Sequence, residues 1–269
     1  MAMNIFRQEF NMRFRSVITW SAAVVVVLLI YVSLFSSFAQ QAALLNEMLA
    51  NFPPQLITAF GLTGVNMADV LGFFGFAFLF AQICVAIQAA GYGVGLVSVE
   101  EREWTADFLM SKPVSRTRIL TSKLLAALSG LLITDIVIWA ASLLFLKLFS
   151  AGQSYALQPL ALLLLSIVPF ELFFLCVGLV VSLLVKRVRS VTPWAMALGF
   201  GMYLLSVFGD LLGEAVLEKV TPFKHFAPHY ILTHTAWDTP LALISVAVIL
   251  ISLVGSYVLY TRRNIPAVV

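Results

Sequence analysis

Two acids, Asp135 and Glu171, lie deep inside long apolar runs. An ionised side chain at the centre of a bilayer costs at least about 2.5–3.5 kcal/mol. Such residues either face a water-filled path or a cation, or make an interhelical hydrogen bond that fixes packing. The sequence leaves both roles open. Pro169, just before Glu171, removes a backbone donor and favours a bend. The chain's histidines, His225, His229 and His234, share one segment, a spacing that invites zinc or copper. Pro228 interrupts a common helical face between the first two and no cysteine joins them, so no metal is expected. The third group runs from Ser98 to Arg116 and includes Glu100, Glu101, Arg102, Glu103, Trp104, Phe108 and Pro113. Ser98 with Glu101 three residues on has the form of a capping box, and Pro113 stops the helix. Glu100, Glu103 and Asp107 share one helical face, Trp104 and Phe108 another. A helix this short is not stable alone. It needs a partner, either the bilayer surface or another protein.

The elements that must hold these residues are membrane spans. The 269 residues are 61% apolar and 11% charged, with a mean hydropathy of +1.01. A soluble domain is nearer to about 25% charged. The composition excludes one and leaves no room for a separate soluble domain. A spanning helix needs about 20 mostly apolar residues, and six stretches qualify: 17–38, 70–97, 119–146, 157–185, 191–212 and 240–260. Thr192-Pro193 and Thr239-Pro240 read as a cap followed by a first-turn proline. Gly91, Gly93 and Gly95, and Gly209 with Gly213, give small-residue spacing that lets helices approach closely. Cys84 and Cys176 both lie in apolar runs, so no disulfide framework follows.

Thirteen of the 16 Lys and Arg residues fall on one side of these spans: before the first, between the second and third, between the fourth and fifth, and after the sixth. Lys147, Lys219 and Lys224 are left for the other side. By the positive-inside rule both termini are cytoplasmic. The first apolar run exceeds a signal-peptide core of about 7–15 residues, and Phe38-Ala39-Gln40 is a poor cleavage site, so it is expected to stay as a helix. Residues 4–16 read as an amphipathic helix in the headgroup layer, with Phe6, Phe10 and Phe14 along one row and Arg7 and Arg15 in another. No basic tract suggests nucleic acid. The fold expected is all-α and integral to the membrane, with six spans, an interfacial N-terminal helix and a short cytoplasmic helix at 98–112.

The chain resembles the permease subunits of ABC transporters of the ABC-2 type. The residues that carry the likeness are Glu100-Glu101-Arg102, then Phe108-Leu109-Met110, Pro113-Val114-Ser115-Arg116, Ile119 and Lys123. Trp104-Thr105 stands where Gly-Thr is usual. Phe52-Pro53 through Phe60-Gly61-Leu62, Thr221-Pro222-Phe223 with Phe226, and Arg262-Arg263-Asn264-Ile265 extend it along the chain. The resemblance implies that Glu100, Glu101, Arg102, Glu103, Trp104, Phe108, Pro113 and Arg116 form a coupling helix seated in an ATPase subunit. It implies that 213–239 holds re-entrant elements, with Pro222, Phe223 and Phe226 at an outer gate. It also implies two ATPase partners carrying ATP and Mg, a second permease, and a place in the plasma membrane. No phosphate-binding Gly-x-x-x-x-Gly-Lys loop exists here, so the chain is expected to be neither an enzyme nor a holder of its own cofactor. Asp135 and Glu171 are the candidates for the transport path, with interhelical packing as their other role. A secondary transporter or channel driven through those two acids is the rival reading. A membrane enzyme lacks its motifs, with no His-Glu-x-x-His and no Gly-x-Ser-x-Gly.

Overall fold

The structure is a computed structural model describing residues 2–41, 51–53, 57, 66–102, 114–185, 188–213 and 215–262. Within them the chain is helical: α1 (Ala2–Gln40), α2 (Val70–Arg102), α3 (Arg116–Phe149), α4 (Leu157–Leu184), α5 (Val191–Leu212), three short helices α6 (Ala215–Glu218), α7 (Pro222–His225) and α8 (Pro228–His234), and α9 (Thr239–Arg262). Six of these are long and apolar enough to cross a membrane, matching the six stretches read from hydropathy. α2 is the central element, in contact with α1, α3, α4, α5 and α8. α1 lies mainly on α3, and α9 on α4. Its position explains why α2 is lined with alanine and glycine. Ala77, Ala81, Ala86, Ala89 and Ala90 are fully buried, and small side chains are what allow several helices to crowd one axis.

Several helix ends differ from the sequence reading. The amphipathic stretch 4–16 is not a separate helix but continues into the first span as one helix of 39 residues. Nothing in that stretch breaks it, since the first 40 residues contain neither Gly nor Pro. Ser98 is not a cap: α2 runs on to Arg102, and the Ser98 hydroxyl donates to the Val94 carbonyl at 2.7 Å. A serine hydroxyl can bond back to its own helix this way without ending it. Ser190 rather than Thr192 is the N-cap of α5, making no side-chain cap bond. At α9 the capping oxygen belongs to Asp238, which accepts from the Leu241 amide at 3.3 Å, while Thr239 is already helical. In both cases the helix starts before the Thr-Pro pair suggested, so the proline falls at its second or third position rather than its first. The α3 start follows its sequence, with Ser115 accepting from the Arg118 amide.

Two glycines set the spacing of the core. A Cβ on Gly93 would lie 2.2 Å from the Leu175 carbonyl oxygen, and one on Gly178 would lie 2.7 Å from that of Ala90. Only a missing side chain lets α2 and α4 come this close. Gly199 does the same where α5 crosses Ile87 of α2.

Candidate functional site

The end of the bundle that carries the first residues of α1 also carries the end of α2, the start of α3 and the end of α9. Lys123, only 1% exposed, is held there by three elements. Its ammonium donates to the Leu96 carbonyl of α2 at 2.7 Å and pairs with Glu9 of α1 at 3.2 Å. Glu9 also meets Arg13 at 3.5 Å, and the Arg13 guanidinium stands 5.4 Å from the centre of the Tyr92 ring. A buried ammonium requires such partners, because the desolvation it suffers is several kcal/mol if unpaired. From Tyr92 a polar string continues inward. The Tyr92 hydroxyl reaches Ser16, Gln88 donates to Tyr92 and to Thr134 (2.9 Å), and Ser21 meets Thr134. Sequence reasoning missed this string. Its only sign was Gln88 interrupting an apolar run.

Of the expected coupling residues, Arg116 donates to the Thr261 carbonyl at 3.2 Å, and one turn on Thr121 meets the Tyr257 hydroxyl at 2.7 Å. The start of α3 is thereby tied to the end of α9. Glu100, Glu101 and Arg102 form the last turn of α2. Glu103, Trp104, Phe108 and Pro113 lie outside the described residues, as do Phe60, Gly61 and Leu62 of the outer-loop likeness.

Asp135 and Glu171 come together. Both are buried, at 3% and 2% exposure, and their side chains lie within hydrogen-bonding reach of each other across α3 and α4. One oxygen on each, Asp135 Oδ1 and Glu171 Oε1, has no partner. Just beyond, the Trp139 indole donates to the Leu164 carbonyl at 3.0 Å, a carbonyl close to the hydrogen bond that Pro169 withdraws.

At the opposite end, α6–α8 fold back against the spans. Phe223 is buried edge-on against Phe170, Phe174 and Tyr203, with the nearest centroid at 5.1 Å. Pro222 is buried beside it, and Phe226 stacks edge-on to Trp237. Gln82 of α2 donates to the Phe226 carbonyl at 3.0 Å, and Thr221 to that of Met202 at 2.9 Å. The three residues read as a gate therefore sit in the packing that binds this segment to α2, α4, α5 and α9. The histidines go separate ways. His225 is buried against Ser245 at 2.6 Å, His229 contacts Thr233, and His234 stacks on Tyr230. Burial pushes His225 and His229 toward the neutral form, against the pull of Asp238 on His225 and helped by the charge of His234 on His229. Among the described residues no three His, Cys, Asp or Glu side chains gather as a metal would need.

Six long apolar helices packed around a buried polar seam define an all-α integral membrane protein. Residues 10–257 match the family model described as "Multidrug efflux system permease Rv1217c, C-terminal domain". The chain belongs to that family, in agreement with its resemblance to ABC transporter permeases. No curated protein matches it.

Proposed function

We propose that this chain is the membrane half of an ATP-driven exporter, moving lipophilic compounds outward with energy from separate ATPase subunits. The observation that carries the reading is the family match, which spans nearly the whole chain and names a multidrug efflux permease. Two such permeases and two ATPases would form the working unit, in the plasma membrane with both termini cytoplasmic. Trp104 and Phe108, with the charged residues Glu100, Glu101, Arg102 and Glu103, would seat in the ATPase, and Pro113 and Arg116 would carry its motion into α3. The tie from Arg116 to Thr261 and the clamp at Lys123 support this role, because they join the ends of α1, α2, α3 and α9 where such a push would arrive. Pro222, Phe223 and Phe226 would move as one gate with α7. The path between permeases would place cargo near the midplane.

The test is co-expression with candidate ABC ATPases, purification, and dye efflux from proteoliposomes with and without ATP. Trp104→Ser with Phe108→Ser should abolish ATP-dependent efflux while insertion stays normal. Undiminished efflux from that variant would falsify the coupling role. The buried carboxyl pair favours one rival, transport driven by protons through Asp135 and Glu171. In that case efflux would follow an imposed pH gradient without any ATPase, and Asp135→Asn would stop it.

A further inference from the structure

The end of the bundle opposite the first residues of α1 holds a cavity of about 810 Å³, between the start of α2, the last turns of α5, residues 154–156 with the first turn of α4, and α6–α8. That volume is typical of sites for drug-sized ligands. Asp69, Asp210, Glu218 and Asp238 line it, against Lys224 as the one ammonium among the described lining residues, and Lys224 is paired with Asp210. Burial holds His229, also in the wall, below the usual imidazole value, so it adds little positive charge. Asp69 and Asp238 are fixed in place by helix amides, those of Gly72 at 2.9 Å and Leu241 at 3.3 Å. The helix ends offset part of their charge, on the order of half a unit each. The wall remains net negative. Between the carboxylates lie aromatic faces, from Phe76, Tyr155, Tyr203 and Tyr230.

A second observation is independent of the acids. Ser206 of α5 lines the same cavity at 8% exposure and makes no hydrogen bond among the described residues. Serines elsewhere in the spans, such as Ser129, Ser166 and Ser182, return their hydroxyls to a carbonyl of their own helix. Ser206 does not. It stands one turn before Asp210, leaving a hydroxyl and a carboxylate side by side in the wall with aromatic surface around them.

The geometry points to a binding site for amphipathic organic cations in this cavity, with the onium or ammonium group held by the carboxylates and cation–π faces and the Ser206 hydroxyl available to the ligand. The inference rests on the export reading for its meaning, as a station for cargo, but the binding itself requires no ATPase. Two sources share this chemistry, a lipophilic drug-like cation and an aminophospholipid headgroup.

The full chain in nanodiscs of phosphatidylglycerol is titrated with tetraphenylphosphonium and with tetraphenylborate, ions of the same shape and opposite charge, with empty discs as reference. Tetraphenylphosphonium should bind at least about tenfold more tightly. Asp69→Asn, Glu218→Gln and Asp238→Asn combined, in which Asn still caps, should weaken it by about tenfold or more, as expected when three nearby charges are removed at a partly solvated site. Ser206→Leu should abolish it by filling the space. Melting curves confirm that each variant is folded. Equal affinity for both ions, or unchanged affinity in the neutralised variant, overturns the proposal. Competition from phosphatidylethanolamine discs would assign the site to lipid, and its absence to soluble cations; either outcome supports the onium chemistry. ATP-driven efflux of a neutral dye by the reconstituted complex is measured in parallel. Efflux with no selective cation binding sinks this inference alone, whereas cation binding without efflux sinks only the export reading.

Discussion

Replacing Gly93 by alanine should destabilise the whole bundle, and the size of the effect follows from the geometry. The new methyl would lie 2.2 Å from the Leu175 carbonyl oxygen and 2.9 Å from the Leu179 amide nitrogen. Ordinary contact begins at 3.4 Å, so α4 must retreat by about 1.2 Å. Both obstacles are helix backbone, which cannot swing aside as a side chain would. Overpacking of this kind costs about 1–3 kcal/mol, opposed by the roughly 0.5–1 kcal/mol that alanine gains over glycine within a helix. Gly201 of α5 supplies the control, since a Cβ there meets nothing within 4 Å. Gly201→Ala should therefore be neutral, or stabilising by up to about 1 kcal/mol. Unfolding in mixed dodecyl maltoside and dodecyl sulfate micelles, followed by tryptophan fluorescence, measures both. A net loss for Gly93→Ala, with its midpoint below both wild type and Gly201→Ala, is expected. Coincident midpoints for the two variants would show that the helices do not meet as closely as described, and the packing argument would fail with them.

Lys123→Ala should cost about 1–3 kcal/mol in the same assay by leaving the buried Leu96 carbonyl without its donor, and Glu9→Gln should cost less, because Glu9 is partly exposed and also pairs with Arg13. Asp135→Asn should change stability by under about 1 kcal/mol because an amide still bonds Glu171, whereas Asp135→Leu should cost about 1–3 kcal/mol by orphaning the remaining carboxyl. His225 and His229 are held below the usual imidazole value, chiefly by burial. Below about pH 6.5 the unfolded chain then takes up more protons than the folded one. The stability they allow is complete above that pH and declines as the pH falls toward their folded values. Melting midpoints between pH 7.5 and 5 should fall for wild type, and less for His225→Gln with His229→Gln.

The six spans were legible because twenty-residue apolar runs have few other uses, and their number and order match the structure. Helix ends were less so. Ser98 with Glu101 looks like a cap from spacing alone, yet the apolar packing of α2 carries the helix through it, and the hydroxyl turns back to Val94. Gly93 was legible as a close-approach residue, but Gly178 and Gly199 were not, since each is set by the partner helix it meets rather than by its own neighbours. The contact between Asp135 and Glu171 could not be read from either position singly. Depth in the bilayer was inferable for each, but facing one another depends on the rotation of α3 against α4. Lys123 appeared as one residue of a family pattern. Its burial and its grip on Glu9 needed the third dimension, because Glu9 lies more than a hundred residues away along the chain.

The unbroken run of α1 has a mechanical corollary. Thirty-nine residues at 1.5 Å each make a rod of about 58 Å, nearly twice the roughly 30 Å of hydrocarbon it crosses. Its overhang is bolted at Glu9 to Lys123, and Lys123 in turn to the end of α2. Under the proposed coupling role, a displacement entering between α2 and α3 would reach the overhang through the same contacts. For a rod of this length, a tilt of only ten degrees about one tip would swing the other by about 10 Å.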